Sequence, residues 1–355
     1  MDSISSFILK DCVDYDRSKG SVIILDQTKL PSQELYIELS SMDQIVEAIV
    51  KLRVRGAPAL GVVASLGISL VISKKDFSNV EQLIVCFNDY YQKLIESRPT
   101  AVNLKNGLDR VKEALNSSVE RGLDLNGIKC ELINEAIQIK HEDIEANIKM
   151  AEHGLSLIKH NYRILTYCNA GHLAVSRFGT ALSPIYLAHK KGYNIHVFSC
   201  ETRPLLQGSR LTMYELNRAG VSCSLICDNM VSYMMQSGEI DCVIVGCDRV
   251  AKNGDVANKI GTSMVAILAK YYNIPFYVIG PSSTLDLFSE CGKDIIVEQR
   301  AKEEVTDLFF KESVAPKGVD VKNPAFDITS AELITAIITE NGVYKYPYNF
   351  MSKDK

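Results

Sequence analysis

The sequence predicts an α/β fold in two parts, a smaller and mainly helical N-terminal domain carrying a short β-sheet and a larger C-terminal domain built on a parallel sheet. Three observations predict it. From about residue 41 to 145 apolar residues recur at helical spacing. Before that stretch stand two short apolar runs of strand character. From Arg163 onward short apolar runs alternate with helical stretches, the pattern of βαβ units. Those runs are continuously apolar, as strands covered on both faces are. The join is placed near residue 145, inside or beside a long helix from Leu132 to Ile158, so the domains are 1–145 and 146–355.

Val22-Ile23-Ile24-Leu25 and Leu35-Tyr36-Ile37-Glu38-Leu39 read as two strands around a Pro-containing turn. Asp43 to Leu52, Val80 to Glu96 and Leu104 to Leu115 have amphipathic helical spacing. Leu60 to Ile72 is apolar, broken by Gly and Ser and closed by Lys74-Lys75; it is too short for a bilayer and reads as core. The expected parallel strands are Ile164 to Cys168, Ile195 to Cys200, Ser222 to Cys227, Cys242 to Gly246, Phe276 to Ile279 and Ile295 to Val297. Helices are expected between them at Thr180 to Lys191, Ser209 to Arg218, Asn229 to Gln236 and Gly261 to Tyr272.

Composition narrows the function. A net charge of -4 with 23% charged residues gives no electrostatic reason to bind nucleic acid or an anionic membrane. Met1-Asp2-Ser3 lacks the basic-then-apolar order of a signal peptide. The ten cysteines have no framework spacing and read as reduced thiols. A cytoplasmic protein is expected, with a nuclear fraction compatible with the same features in a eukaryote.

In a parallel sheet ligands bind beyond the carboxyl ends of the strands. Here those ends carry Cys168-Asn169, Glu201-Thr202-Arg203, Asp228-Asn229 and Asp248-Arg249. One such Asp is ordinarily a helix cap, and Asp228 suits that role; four polar ends converging on one crevice make a site. Asp248 closes the apolar run Cys242 to Cys247, where desolvation can hold a carboxyl group protonated as a general acid. The alternative is an Asp paired with Arg249 or capping a backbone turn. Cys168 ends another apolar strand, and a buried inert thiol is the ordinary fate of such a residue.

Two junctions carry an Arg ahead of a Pro: Arg55-Gly56-Ala57-Pro58 and Arg98-Pro99-Thr100-Ala101-Val102-Asn103. Pro58 suits a first helical turn, and fresh helix N–H groups beside a bidentate Arg can hold an anion. Taken alone, the first is a tight interhelical turn with a surface Arg and the second a capped helix start with a solvated Arg. Asn253 to Thr262 follows the fourth strand and opens a helix, so that Asn258 and Lys259 stand where a phosphate or sugar hydroxyl would meet it. Neither a P-loop nor a G-x-G-x-x-G fingerprint occurs, so no nucleotide or other cofactor is expected. The six histidines and the Cys223/Cys227 pair lack metal-ligand spacing, so no metal is expected. His172, beside Gly171 at the first strand end, is read as a surface or capping residue rather than one lining the crevice. No G-x-S-x-G elbow suggests a hydrolase.

Together these segments, in the order Arg55-Gly56-Ala57-Pro58-Ala59, Arg98 to Leu104, Cys168-Asn169-Ala170-Gly171, Gly179 to Leu182, Cys200 to Pro204, Gln207 to Thr212, Gly246-Cys247-Asp248-Arg249-Val250 and Asn253 to Gly261, resemble the methylthioribose-1-phosphate isomerase family. That family is related to the regulatory subunits of initiation factor 2B and to ribose-1,5-bisphosphate isomerases. The resemblance implies a Rossmann-like C-terminal domain, a homodimer, and a small sugar phosphate as partner. It implies a catalytic pair of Cys168 and Asp248, and substrate contacts from Arg55, Gly56, Ala57, Arg98, Gln207, Asn258 and Lys259. Ala170, His172, Arg177-Phe178 and Cys247 depart from the family pattern and bear on the sugar's 5-substituent. Methylthioribose 1-phosphate is the expected substrate. The alternatives are 5-deoxyribose 1-phosphate, ribose 1,5-bisphosphate (for which Arg177 is the candidate extra cation) and a non-catalytic sensor.

Overall fold

The computed structural model describes residues 10–99 and 101–350; Met1-Asp2-Ser3 and Thr100 of the second junction lie outside the described residues. The chain divides into two compact units, one of residues 10–147 with His172–Gly179, the other of Ile148–Gly171 with residues 180–350.

The first unit opens on an antiparallel meander of β1 (Val13–Asp16), β2 (Ser21–Leu25) and β3 (Tyr36–Leu39). β1 is an addition to the expected pair; its polar sequence VDYD hides it, and pairing of Asp16 with Ser21 across a tight turn supplies it. Helices follow: α1 (Met42–Val50), α2 (Ala57–Ser73), α3 (Val80–Ser97), α4 (Val102–Glu120) and the long α5 (Leu125–Leu155), whose residues from Ile148 belong to the second unit. Ser41 and Gln44 form a reciprocal capping box at the start of α1, and Asn79 caps α3. Every residue of α2 from Ala59 to Ile72 is buried. An all-round apolar helix is stable only when others surround it. The run of core residues read in the sequence is therefore this helix.

The second unit contains strands β4 (Arg163–Thr166), β5 (His196–Cys200), β6 (Cys223–Ile226), β7 (Cys242–Val245), β8 (Arg249–Ala251), β9 (Val256–Lys259), β10 (Phe276–Ile279), β11 (Leu285–Asp286), β12 (Phe326–Thr329), β13 (Ala336–Thr339) and β14 (Gly342–Tyr344). Its helices are α6 (Ser183–Lys190), α7 (Met213–Arg218), α8 (Val231–Gln236), α9 (Thr262–Tyr271) and α10 (Glu303–Thr306). The main sheet has seven strands in the order β14-β13-β10-β7-β4-β5-β6, parallel except for β14. Numbered by their place in the chain, its parallel strands run 3-2-1-4-5-6, a doubly wound order that reverses between β4 and β7. Leu165, Val243, Val245, Val278 and Ile337 on these strands share one buried cluster.

Two expectations are corrected. Ile295 to Val297 is not a strand: Ile296 is 80% exposed, and only Ile295 finds an apolar neighbourhood, against Ala251 and Ala257. The sixth parallel strand is β13. Val256–Lys259 is a strand in a second sheet of order β11-β8-β9-β12, and the helix opens only after it, at Thr262. Among the described residues no helix is long and apolar enough to cross a membrane.

Candidate functional site

Reversal of strand order at β4 and β7 leaves the carboxyl ends of those two neighbours without a common crossover, and this is where open α/β sheets form a crevice. Cys168 follows β4 and Asp248 follows β7, and both are half-buried. The loops behind them touch, since a side chain on Gly246 would come within 2.5 Å of the Ala170 methyl group. Cys168 and Cys247 pack against the cluster of Tyr167, Val245 and Val250. The surroundings are accordingly apolar. Burial pushes the Cys247 thiol up to about 12, so it stays protonated beside Asp248. Burial likewise raises the Tyr167 phenol far above its ordinary range, with Asp228 adding to the effect.

Asp248 is tied to the second sheet: its N–H donates to the Ala257 carbonyl at 3.0 Å, next to Asn258 and Lys259 on β9. Arg249 pairs with Asp286 at 3.4 Å. Asn258 is 6% exposed and donates to the Thr262 hydroxyl at 3.0 Å. The Lys259 ammonium donates to the Ala325 carbonyl at 3.1 Å and lies over the Phe326 ring. The start of α9 is not an open anion site, because the Asp327 carboxylate takes the N–H groups of Gly261 (2.7 Å) and Ser263 (3.1 Å). Gly261 is obligatory there, with φ of 102° and the Tyr167 hydroxyl where a Cβ would stand. This contact brings the β9–α9 turn beside the end of β4.

Gln207 is 5% exposed in the segment after β5, and its amide oxygen has no hydrogen-bond partner. The next residues, Gly208–Thr212, form a π-helical turn before α7 rather than the plain helix expected from Ser209. Thr212 reaches back to the Cys168 carbonyl at 2.6 Å. Thus Cys168, Gln207, Asp248, Asn258 and Lys259 all belong to the sheet unit, on loops and a strand linked by direct contacts.

Arg55, Gly56, Ala57 and Arg98 belong to the helical unit. Gly56 precedes α2 with φ of 98°, backed by the Ala174 backbone where a Cβ would go, and Pro58 takes the first turn as expected. Arg55 and Arg98 are half-buried, Arg98 at the end of α3.

Three further readings are corrected. Asp228 caps no helix: its carboxylate accepts the N–H groups of Thr202 (2.8 Å) and Arg203 (2.7 Å), bracing the loop after β5. His172 is neither surface nor capping but wholly buried in the helical unit, accepting from Phe178 N–H at Nδ1 (3.1 Å) and facing the Lys10 carbonyl with Nε2 (3.2 Å). Burial lowers its pKa to about 4, so the ring is neutral. Arg177 is no spare cation, for it grips Asp11 with two nitrogens at 2.5 and 2.8 Å.

Sequence reasoning passed over Thr202, Thr212 and the buried Glu215, whose carboxylate accepts from Asn169 and from the Tyr186 hydroxyl at 2.8 Å. A carboxylate at an apolar helical position was the available signal for Glu215. Among the described residues no group of His, Cys, Asp and Glu is placed to hold a metal ion.

The strand order, reversing between β4 and β7, is that of the doubly wound α/β proteins. The chain belongs to the Initiation factor 2 subunit family, whose model matches residues 53–346. A methylthioribose-1-phosphate isomerase of Parabacteroides distasonis is 52% identical over 330 residues, covering 93% of this chain and 98% of that protein. A 5-deoxyribose 1-phosphate isomerase of Petrotoga mobilis is 51% identical over 330 residues, covering 93% and 94%. The crystal structure of 5-methylthioribose 1-phosphate isomerase from Pyrococcus horikoshii matches with a TM-score of 0.89 at 39% identity, covering 96% and 94% of the two chains.

Proposed function

We propose that this protein is an aldose–ketose isomerase that converts 5-methylthioribose 1-phosphate to 5-methylthioribulose 1-phosphate in methionine salvage. The reading rests above all on the placement of Cys168 and Asp248 beyond neighbouring strands at the switch point of the sheet. Likeness to the isomerases of Parabacteroides distasonis and Pyrococcus horikoshii supports it.

The chemistry gives those two groups distinct tasks. In a sugar 1-phosphate the anomeric oxygen is esterified, so the ring cannot open as a free hemiacetal does. An acid must protonate the ring oxygen as the C1–O bond breaks, and hydrogen must then pass from C2 to C1. Protonated Asp248 delivers the first proton and the resulting carboxylate removes the one on the C2 hydroxyl, which becomes the ketone. Cys168 either accepts the C2 proton, giving an enolate that is reprotonated at C1, or lines the path of a direct hydride shift. Bound substrate in this proposal excludes water from the crevice, which suppresses side reactions. In this proposal Arg55, Gly56, Ala57, Arg98, Gln207, Asn258 and Lys259 contact the substrate and contribute positioning. The parallel-sheet domain from about residue 146 is the catalytic one, the protein is a cytoplasmic homodimer, and it needs no cofactor.

The second reading, 5-deoxyribose 1-phosphate as substrate, is favoured by the Petrotoga mobilis relative. Ribose 1,5-bisphosphate is disfavoured because Arg177 is engaged by Asp11. The test is turnover of the three sugars by the purified protein. The proposal expects the highest kcat/KM on methylthioribose 1-phosphate; a higher value on the deoxy sugar selects the second reading, and no turnover of any selects a non-catalytic sensor.

A further inference from the structure

The backbone at Cys168 is held in a conformation it would not choose. Its φ is 64°, in the left-handed region, and Thr202 beside it has φ of 67°. For a β-branched residue that is a real outlier, and such strain persists only where the surroundings impose it. Four bonds impose it on Thr202: its N–H donates to Asp228 (2.8 Å), its hydroxyl donates to the Cys200 carbonyl (3.2 Å) and accepts from Cys168 N–H (2.9 Å), and its carbonyl accepts from Leu206 N–H (2.8 Å).

The other side of Cys168 is held as firmly. Thr212 donates its hydroxyl to the Cys168 carbonyl at 2.6 Å and accepts from the Asn169 amide at 3.1 Å. The second proton of that amide goes to the buried Glu215 carboxylate. Thr212 ends the π-helical turn, a local rearrangement that frequently marks a functional position. Both backbone polar groups of Cys168 thus end on threonine hydroxyls from different elements, Thr202 braced directly by Asp228 and Thr212 linked to Glu215 through the Asn169 amide.

We infer that Thr202 and Thr212 are positioning residues that clamp the Cys168 backbone and thereby aim its thiol. This rests on the isomerase reading for its catalytic consequence, not for the clamp itself. Neither threonine is asked to touch substrate; each acts through Cys168. Misplacement of a reacting group by about 1 Å can cost a hundredfold in rate, so loosening one arm should be visible in kcat and leave substrate affinity alone.

The experiment uses the full chain with Thr202→Val, Thr212→Val, their serine counterparts, and Asp228→Asn, an isosteric change that disturbs the brace more gently. Steady-state kinetics on methylthioribose 1-phosphate are combined with iodoacetamide alkylation resolved per cysteine, with the exposed Cys130 as internal reference. The valine variants should lose about tenfold or more in kcat with KM within about twofold, the serine variants should recover most of it, and Asp228→Asn should fall between. Cys168 should be alkylated about threefold faster or more in the valine variants while Cys130 is unchanged. Folded valine variants with kcat and Cys168 alkylation within about twofold of the parent overturn the clamp. So do serine variants as impaired as the valine ones. If the valine variants do not fold, Asp228→Asn with parental kcat and parental alkylation overturns it. A parent protein that turns over no sugar phosphate defeats the isomerase reading alone, since alkylation still reports on the clamp.

Discussion

Acidification from neutral pH to about pH 4 should weaken the helical unit through one residue, His172. The ring is wholly buried; Nδ1 accepts from Phe178 N–H at 3.1 Å, and the proton on Nε2 points to the Lys10 carbonyl at 3.2 Å. Both nitrogens are satisfied in this neutral tautomer. A second proton on Nδ1 would oppose the Phe178 N–H and place a charge out of water. Burial is the main cause of the lowered pKa, about 4, with Arg177 acting in the same direction and the Lys10 carbonyl and Asp11 against it. An unfolded imidazole protonates near 6.5, so between that value and about 4 the unfolded chain binds the extra proton and the folded one does not. Stability therefore falls as pH drops through this window, and the loss stops below it because both states are then protonated. Two and a half decades of proton affinity correspond to about 3 kcal/mol in full, and to about 2 kcal/mol at pH 5. Against the 5–15 kcal/mol typical of a domain, that is readily measured. Urea unfolding of the parent and of His172→Gln across this range isolates it, because Asp11, Asp143 and other acids titrate in both proteins. The parent's advantage over His172→Gln should shrink by about 2 kcal/mol from pH 7 to pH 5. A pH-independent difference would refute a buried neutral imidazole.

Cys168→Ser should keep the fold and lose at least about a hundredfold in kcat, since a hydroxyl ionises far less readily than a thiol and so cannot exchange a proton as easily; unchanged kinetics would return Cys168 to an inert role. Arg177→Gln leaves Asp11 with Lys140 at 3.1 Å as its remaining ion partner. With Arg177 itself partly exposed, the loss should be about 1 kcal/mol of stability, and the ratio of turnover on bisphosphate and methylthioribose substrates should not move. A selective change toward one sugar would mean that Arg177 does read the substrate. Gly56→Ala forces a Cβ into the Ala174 backbone at φ of 98°. It should cost about 2 kcal/mol or more in thermal or urea unfolding, and a neutral effect would mean that the turn before α2 relaxes freely.

Long periodic segments announced themselves because burial imposes one period over many residues: α1, α3 and α4 run within a few residues of the spans read from apolar spacing, although α5 begins at Leu125, earlier than expected. The parallel strands β4, β5, β7 and β10 were legible because they are buried within the sheet, and the edge strand β6, with Leu225 48% exposed, was legible from its short apolar run. The second sheet was not, since β8, β9, β11 and β12 have two to four residues each and draw their stability from pairing with one another rather than from a long apolar run. Ile295 to Val297 misled in the opposite way, having strand composition with no neighbour to pair. At the site, strand ends and local motifs drew attention to Cys168 and Asp248. The support of Cys168 was invisible, because Thr202 and Thr212 lie 34 and 44 residues away and an ordinary threonine carries no pattern. Asp228 has the composition of a cap, and only the folded loop after β5 shows that it holds Thr202 and Arg203 instead.

The most direct test of the account compares the parent protein with Asp248→Asn on 5-methylthioribose 1-phosphate, following the ketose 1-phosphate by NMR. The amide keeps the shape of the side chain and removes its ability to give and take a proton. Rapid conversion by the parent is expected, with at least about a thousandfold less by the folded variant, which corresponds to some 4 kcal/mol of barrier. Conversion by Asp248→Asn within about tenfold of the parent, little more than 1 kcal/mol, would take Asp248 out of the acid–base role and the mechanism with it.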